Sequence, residues 1–247
     1  KRLNLDFAVT PFSKKEVDFL VNKVNVDFIK IASSDLNCYE FLEYISKKKR
    51  TIVLSTGLSN LSEIDEAIRT IEKNGNRKII LLHCISNYPP NEKEINLNNI
   101  ETLSKIYPYP VGFSDHTIGT TIPLAAIAKG ACLIEKHFTL NKNMKGWDHK
   151  ISADEKDMKI IVDESSTVFN SLGSHRKIQI EGKNKMESFR RSLVAARPIK
   201  KGEVFTEKLI DVKRPGTGLP PKLKKYLIGK VAKRNIPYDE IIKFNDF

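Results

Sequence analysis

Residues 27–57 read DFIKIASSDLNCYEFLEYISKKKRTIVLSTG. Two short β-rich runs, DFIKIAS and TIVLS, flank LNCYEFLEYISK, whose apolar residues recur at three- and four-residue spacing. A strand, an amphipathic helix and a second strand in that order predict a parallel pair with the helix as crossover. Both runs end in small polar residues, Ser33-Ser34 and Ser55-Thr56-Gly57.

The same texture extends outward on both sides. LNLDFAV, KIILLHC, PVGFSD and CLIEKHFT read as further strands, and EVDFLVNKV and LSEIDEAIRTIEKN as helices. In the latter, Asn60 and Glu63 are spaced for a capping box and Asn74-Gly75 supplies a stop. His83-Cys84, Asp115-His116 and Glu135-Lys136-His137 repeat the polar strand ends. Parallel α/β folds place their sites on that side, and five such clusters favour a barrel mouth over a single crevice. Six strands cannot close an eight-stranded barrel. The expected fold is therefore α/β, a (β/α)8 TIM barrel lacking its first two βα units. A helix is expected from about Ala153 to Phe169, after which the texture changes to short strands broken by Lys201-Gly202, Pro215-Gly216 and Pro220-Pro221, with a short helix near Lys222 to Leu227.

Charge marks a boundary in the same region. The net charge of +12 is uneven: residues 1–174 carry 23 Lys/Arg against 22 Asp/Glu, and residues 175–247 carry 19 against 8. We expect a barrel domain over 1–173, a polar linker over 174–187 and a basic β-rich module over 188–247. The excess suits either an anionic partner or a solvated lysine-rich surface. Three widely spaced cysteines suggest neither a disulfide framework nor a CxxC metal cage. No run approaches the roughly 20 apolar residues of a membrane span, so a soluble, cytoplasmic protein is expected.

Several residues carry possible chemistry. His116 and His137 end neighbouring predicted strands, where they could share Mn²⁺, Zn²⁺ or Fe²⁺ or serve as hydrogen-bonded structural histidines. Glu135 points to the same side as His137, as ligand, orienter or ion-pair partner. Lys30 interrupts an apolar strand and needs either a substrate anion or a partner such as Asp35 or Glu135. Ser33, Ser55 and Thr56 read either as helix caps or as anion-binding hydroxyls. From position alone, Tyr88 packs a loop, Asp148 caps a turn and Arg214 is a solvated charge. Trp147 reads as a core residue or a sugar platform.

The order TPFS, FIKIASSD, LSTG, LLHCISNYP, GFSDHTIG, IEKHFTL, RRSLVAARPIKKGE, VKRPGTG and LIGKVAKR resembles the N-acetylneuraminate synthase family from about Leu5 onward. The resemblance implies a TIM-barrel synthase domain joined to a small β-rich C-terminal SAF (antifreeze-like, β-clip) domain, in a domain-swapped homodimer whose small domain covers the partner's barrel mouth. It implies condensation of phosphoenolpyruvate with an N-acylated hexose, N-acetylmannosamine or a diacetylated analogue, giving a nine-carbon 2-keto sugar acid. His116 and His137 match metal ligands, usually for manganese. Lys30, Ser33, Thr10 and Ser55 match groups around phosphoenolpyruvate, and Ser86 and Tyr88 a substrate-contacting stretch. Asp148 matches an acid that binds sugar hydroxyls, and Arg214 an arginine that reaches the other subunit's site. The family's EIGxNHxG-type segment has no counterpart, which implies that the sequence begins near the third strand and that this chain alone has weak or no activity. The alternatives are another phosphoenolpyruvate-dependent 2-keto sugar acid synthase, against which the SAF module argues, or an inactive saccharide- or nucleic-acid-binding remnant. The few scattered aromatics of the basic module offer nucleic acid no stacking platform.

Overall fold

The computed structural model describes residues 5–176 and 180–247. The chain divides into two compact units, Lys1–Gly173 and Ser174–Phe247.

In the first unit, helix α1 (Lys14–Phe19) is capped by Ser13, whose hydroxyl accepts from the Glu16 N–H, and continues through a π turn, Leu20–Val24. Then strands and helices alternate: β1 (Phe28–Ile31), α2 (Tyr39–Ser46), β2 (Thr51–Ser55), α3 (Leu61–Lys73), β3 (Ile79–Cys84), α4 (Asn98–Ile106), β4 (Val111–Asp115), α5 (Thr121–Ala128), β5 (Ile134–Lys136) and α6 (Glu155–Leu172). The Asn60/Glu63 capping box opens α3, and Gly75 in the left-handed region follows its end. The strands form one parallel sheet in the order β1-β2-β3-β4-β5. Each strand lies beside its predecessor, which is barrel-type winding; a doubly wound sheet would reverse its order at a switch point.

Alternation along the strands sorts the side chains. Ile29, Ile31, Ile52, Leu54, Ile79, Leu81, Val111 and Phe113 pack against Val17, Leu42, Ile45, Ile68, Ile71, Ile100 and Leu103 in the main core. The intervening residues, among them Phe28, Lys30, Val53, Ser55, Leu82 and Cys84, line cavities on the opposite face. Polar groups at the ends of β1–β5 are thus delivered to one mouth.

Two expectations need correction. The run LNLDFAV gives no strand over residues 5–9, with Leu5, Phe7 and Val9 exposed; its Leu3 and Asn4 lie outside the described residues. A strand persists only when its backbone groups find a ladder partner, and among the described residues these have none. Residues 177–179 of the expected linker also lie outside the described set, and helix α7 (Lys183–Phe189) spans its end. Trp147 is 96% exposed, so it is no core residue.

The second unit pairs β6 (Ser192–Ala195) with β7 (Ile210–Lys213) antiparallel and carries a short helix, α8 (Lys224–Leu227). Bridges Val194↔Ile241, Ile199↔Ile236 and Val204↔Val231 tie in the remaining chain. Its separate core contains Leu193, Phe205, Leu209, Leu219, Leu227, Ile236 and Ile242. Among the described residues no helix is long and apolar enough to cross a membrane.

Candidate active site at the strand ends

A cavity of about 540 Å³ opens over the C-terminal ends of the strands, lined by Thr10, Lys30, Ser33, Ser55, Ser86, Tyr88, His116 and His137 among others. Eight of the ten residues that the family resemblance matches to site roles thus meet in one place. Asp148 stands beside them, its Oδ2 3.9 Å from His137 Nδ1. Arg214 belongs to the second unit, where its guanidinium lies 5.3 Å from the Phe189 ring centre.

The two imidazoles follow β4 and β5, and their ring centres are 5.3 Å apart. Two imidazoles sharing one cation, with metal–nitrogen bonds of about 2.1 Å, hold their centres roughly 5 Å apart. His116 Nδ1–H donates to the Ile85 carbonyl at 2.9 Å, which leaves the Nε2 lone pair free. The residues therefore fit a divalent cation. No third His, Cys, Asp or Glu completes a metal-holding group among the described residues, so further positions would fall to water or substrate. Tyr88 packs against both rings, at 4.2 Å from His116 and 5.8 Å from His137.

Beside the histidines lies an anion-ready wall. Lys30 Nζ donates to its neighbour's carbonyl, Ile31 O, at 3.0 Å and sits 3.5 Å from Glu135 Oε1. Glu135 Oε2 accepts from Ser114 Oγ at 2.6 Å. Of the partners open to Lys30 from sequence, Glu135 is the one found. Neither Ser33 nor Ser55 caps a helix: among the described residues Ser33 Oγ meets only Cys84 Sγ, at 3.6 Å, and Ser55 Oγ is buried without a partner. An unpaired buried hydroxyl costs about 1–3 kcal/mol, a debt that a bound anion would remove. Thr56 is satisfied by Leu82 O at 2.9 Å.

Sequence reasoning missed the part played by Gly57. A Cβ there would lie 2.5 Å from Ser86 Oγ, 2.8 Å from Ser33 Oγ and 3.2 Å from Cys84 Sγ, so only glycine lets these groups converge. The signal was present as LSTG, but its crowding comes from three other segments. His149, without an evident partner in the sequence, is paired with Thr139 Oγ1 through Nδ1 at 2.8 Å.

Residues 1–177 match the NeuB family and residues 190–247 the SAF domain. The chain belongs to the NeuB family. An uncharacterised protein of Methanocaldococcus jannaschii is 44% identical, covering 100% of this chain and 73% of its own length. An N,N′-diacetyllegionaminic acid synthase of Campylobacter jejuni is 40% identical, covering 98% and 73%. The crystal structure of an N-acetylneuraminic acid (sialic acid) synthetase from Leptospira borgpetersenii superposes with a TM-score of 0.70 at 36% identity, over 74% of this chain and 64% of that one. The chain spans about three quarters of the curated relatives' length and about two thirds of that solved structure. By this kinship it is an enzyme of the sialic-acid-synthase type, the class to which the NeuB relatives' names refer.

Burial lowers the pKa of His116, and that of His137 with a second contribution from the His116 ring. It also lowers that of His83, which points away from the mouth with Nε2 against Ile95 O at 2.7 Å. An unfolded chain protonates its histidines near pH 6.5, about the unperturbed value, whereas the folded protein resists until lower pH. Metal-free protein is therefore expected to be most stable above about pH 7 and to lose stability as the pH falls through 6.5 toward the lowered values. Urea midpoints across that range, taken with a chelator present, test this; a midpoint that rises on acidification contradicts it.

Proposed function

We propose that this chain carries the catalytic centre of a phosphoenolpyruvate-dependent synthase that condenses an N-acylated hexose, N-acetylmannosamine or a diacetylated analogue, to a nine-carbon 2-keto sugar acid. The observation that carries the reading is the meeting, in one cavity, of two imidazoles spaced for one cation with Lys30 and two hydroxyls that the protein leaves without strong partners.

Lys30, Ser33, Ser55 and Thr10 hold the phosphate and carboxylate of phosphoenolpyruvate, and Ser86, Tyr88 and Asp148 orient the open-chain sugar. The methylene carbon of phosphoenolpyruvate bonds to the aldehyde carbon, water adds to C2, and C–O cleavage releases inorganic phosphate. A divalent cation, manganese in this reading, would be held by His116 and His137 and would polarise the aldehyde oxygen. Asp148 faces His137 and favours the ring orientation that turns Nε2 toward the cavity.

In this reading the complete enzyme has two further βα units, and with residues 5–9 as a strand beside β1 these bring the five strands seen here to eight and close the sheet; the greater length of the relatives and the apolar cavity lined by Phe28, Val53, Leu82 and Ile134 support it. The same reading includes a domain-swapped dimer, acting in the cytoplasm, in which Arg214 serves the other subunit's site. The direct test incubates the chain with phosphoenolpyruvate, Mn²⁺ and either hexose, following phosphate release and the 2-keto acid by mass spectrometry. In parallel, calorimetry measures phosphoenolpyruvate binding. Binding without turnover fits a site awaiting the closing units; neither binding nor turnover rejects the proposal.

The Gly57 cradle supplies a sharper prediction. Gly57→Ala forces the Ser33 and Ser86 hydroxyls aside but strikes only the ends of short side chains. Phosphoenolpyruvate affinity is expected to fall on the order of 10²-fold, as misplacement of about 1 Å can cause, with little change in melting temperature. An unaltered affinity would remove Ser33 from the anion site.

A further inference from the structure

Directly before each histidine of the pair stands a charged residue, and those two residues are bound to each other. Asp115 and Lys136 are direct partners in the β4–β5 ladder. Lys136 Nζ donates to Asp115 Oδ2 at 2.5 Å, and the side chains are only 2% and 0% exposed. The ring closes through Thr117, whose N–H donates to Asp115 Oδ1 at 2.9 Å and whose carbonyl accepts from Lys136 Nζ at 2.7 Å. Residues 115 and 117, on either side of His116, are thus both tied to the residue that precedes His137. Strand alternation turns the ion pair away from the face where Ser114 and Glu135 meet.

A buried ion pair is a poor way to gain stability, because desolvation offsets most of its attraction and apolar residues of similar volume do as well or better. What it provides here is direction: each charge must stay where the other can reach it. We propose that the Asp115–Lys136–Thr117 ring is a positioning clamp that fixes the spacing of the His116 and His137 imidazoles, and thereby the affinity of the site for a divalent cation. Neither clamp residue is a ligand. The inference rests on the metal reading given above.

The test is a Mn²⁺ titration of the 247-residue chain, following free Mn²⁺ by electron paramagnetic resonance, beside melting curves taken with a chelator. Lys136→Met leaves a buried carboxylate unpaired and is expected to lower the melting temperature. Asp115→Asn/Lys136→Met removes both charges and should recover most of that loss. It is nevertheless expected to bind Mn²⁺ about 10- to 100-fold more weakly than wild type, the range seen when groups that orient metal ligands are removed. Because the double variant has the same net charge as wild type, simple long-range attraction cannot explain such a loss. Wild-type affinity in the folded double variant overturns the clamp. If the double variant does not fold, the isosteric Asp115→Asn serves, with at least a tenfold loss expected and unchanged affinity overturning the proposal. Failure of the wild-type chain to take up Mn²⁺ strikes the metal reading itself, a result distinct from the other two.

Discussion

His116→Ala is expected to reduce phosphate release from phosphoenolpyruvate and the hexose by about 10³-fold, while phosphoenolpyruvate affinity stays within about threefold of wild type. Loss of a preorganised group that stabilises developing oxyanion charge costs on the order of 10²–10³ in kcat. In the proposed mechanism the loss would also remove one of the two imidazoles that would hold the cation, so the upper end applies. His137→Ala should behave alike, and the double variant little worse than either single one, because two groups that act as one unit are not additive. His83→Gln is the matched control. His83 ends the neighbouring strand but faces the helices, bonded to Ile95 O, and its replacement should cost stability and leave the rate intact. Turnover by the His116/His137 double variant equal to wild type, in complete enzyme with Mn²⁺, would remove the metal from the mechanism.

The contrast between these histidines shows what the sequence could and could not disclose. Apolar periodicity marked β1–β5 and the helices α2 and α3 because in a parallel sheet the period of burial is imposed on the residues themselves. Strand alternation then separated His83 from His116 once the strand ends were known. Residues 5–9 have the same β-rich composition, yet they lack a neighbouring strand, and composition does not report a missing partner. Trp147 shows the same limit: its type suggests burial, and its place in the loop between β5 and α6 leaves it exposed. Within the site, contacts between distant segments were the least legible. Lys30 had Asp35 and Glu135 as candidate partners until the sheet brought Glu135, 105 positions away in sequence, within 3.5 Å. The Asp115–Lys136 pair depends on the β4–β5 register, and a one-residue slip would have separated them.

Lys30 yields the other large effect, and it tests whether an ion pair inside the cavity serves the fold or the substrate. Lys30→Met is expected to weaken phosphoenolpyruvate binding by about 30-fold or more, since truncating a desolvated charge contact costs about 2–5 kcal/mol. The competing account is that Lys30 merely neutralises Glu135. Geometry argues against it: the ammonium has three N–H donors, one of which goes to Ile31 O. The Glu135 contact, at 3.5 Å, is longer than a good charge-assisted hydrogen bond, and Glu135 already accepts from Ser114. Donor capacity is therefore left over, facing a cavity that also contains the unpaired Ser55 hydroxyl. The double variant Lys30→Met/Glu135→Gln separates the two accounts. If Lys30 serves only its carboxylate, removing both charges restores stability and phosphoenolpyruvate binding together. If Lys30 holds the substrate anion, stability returns but affinity does not, because the anion still has no cation to meet. Calorimetric titration of phosphoenolpyruvate into wild type and the two variants reads that difference directly, and recovery of wild-type affinity in the double variant would reduce Lys30 to a structural counterion.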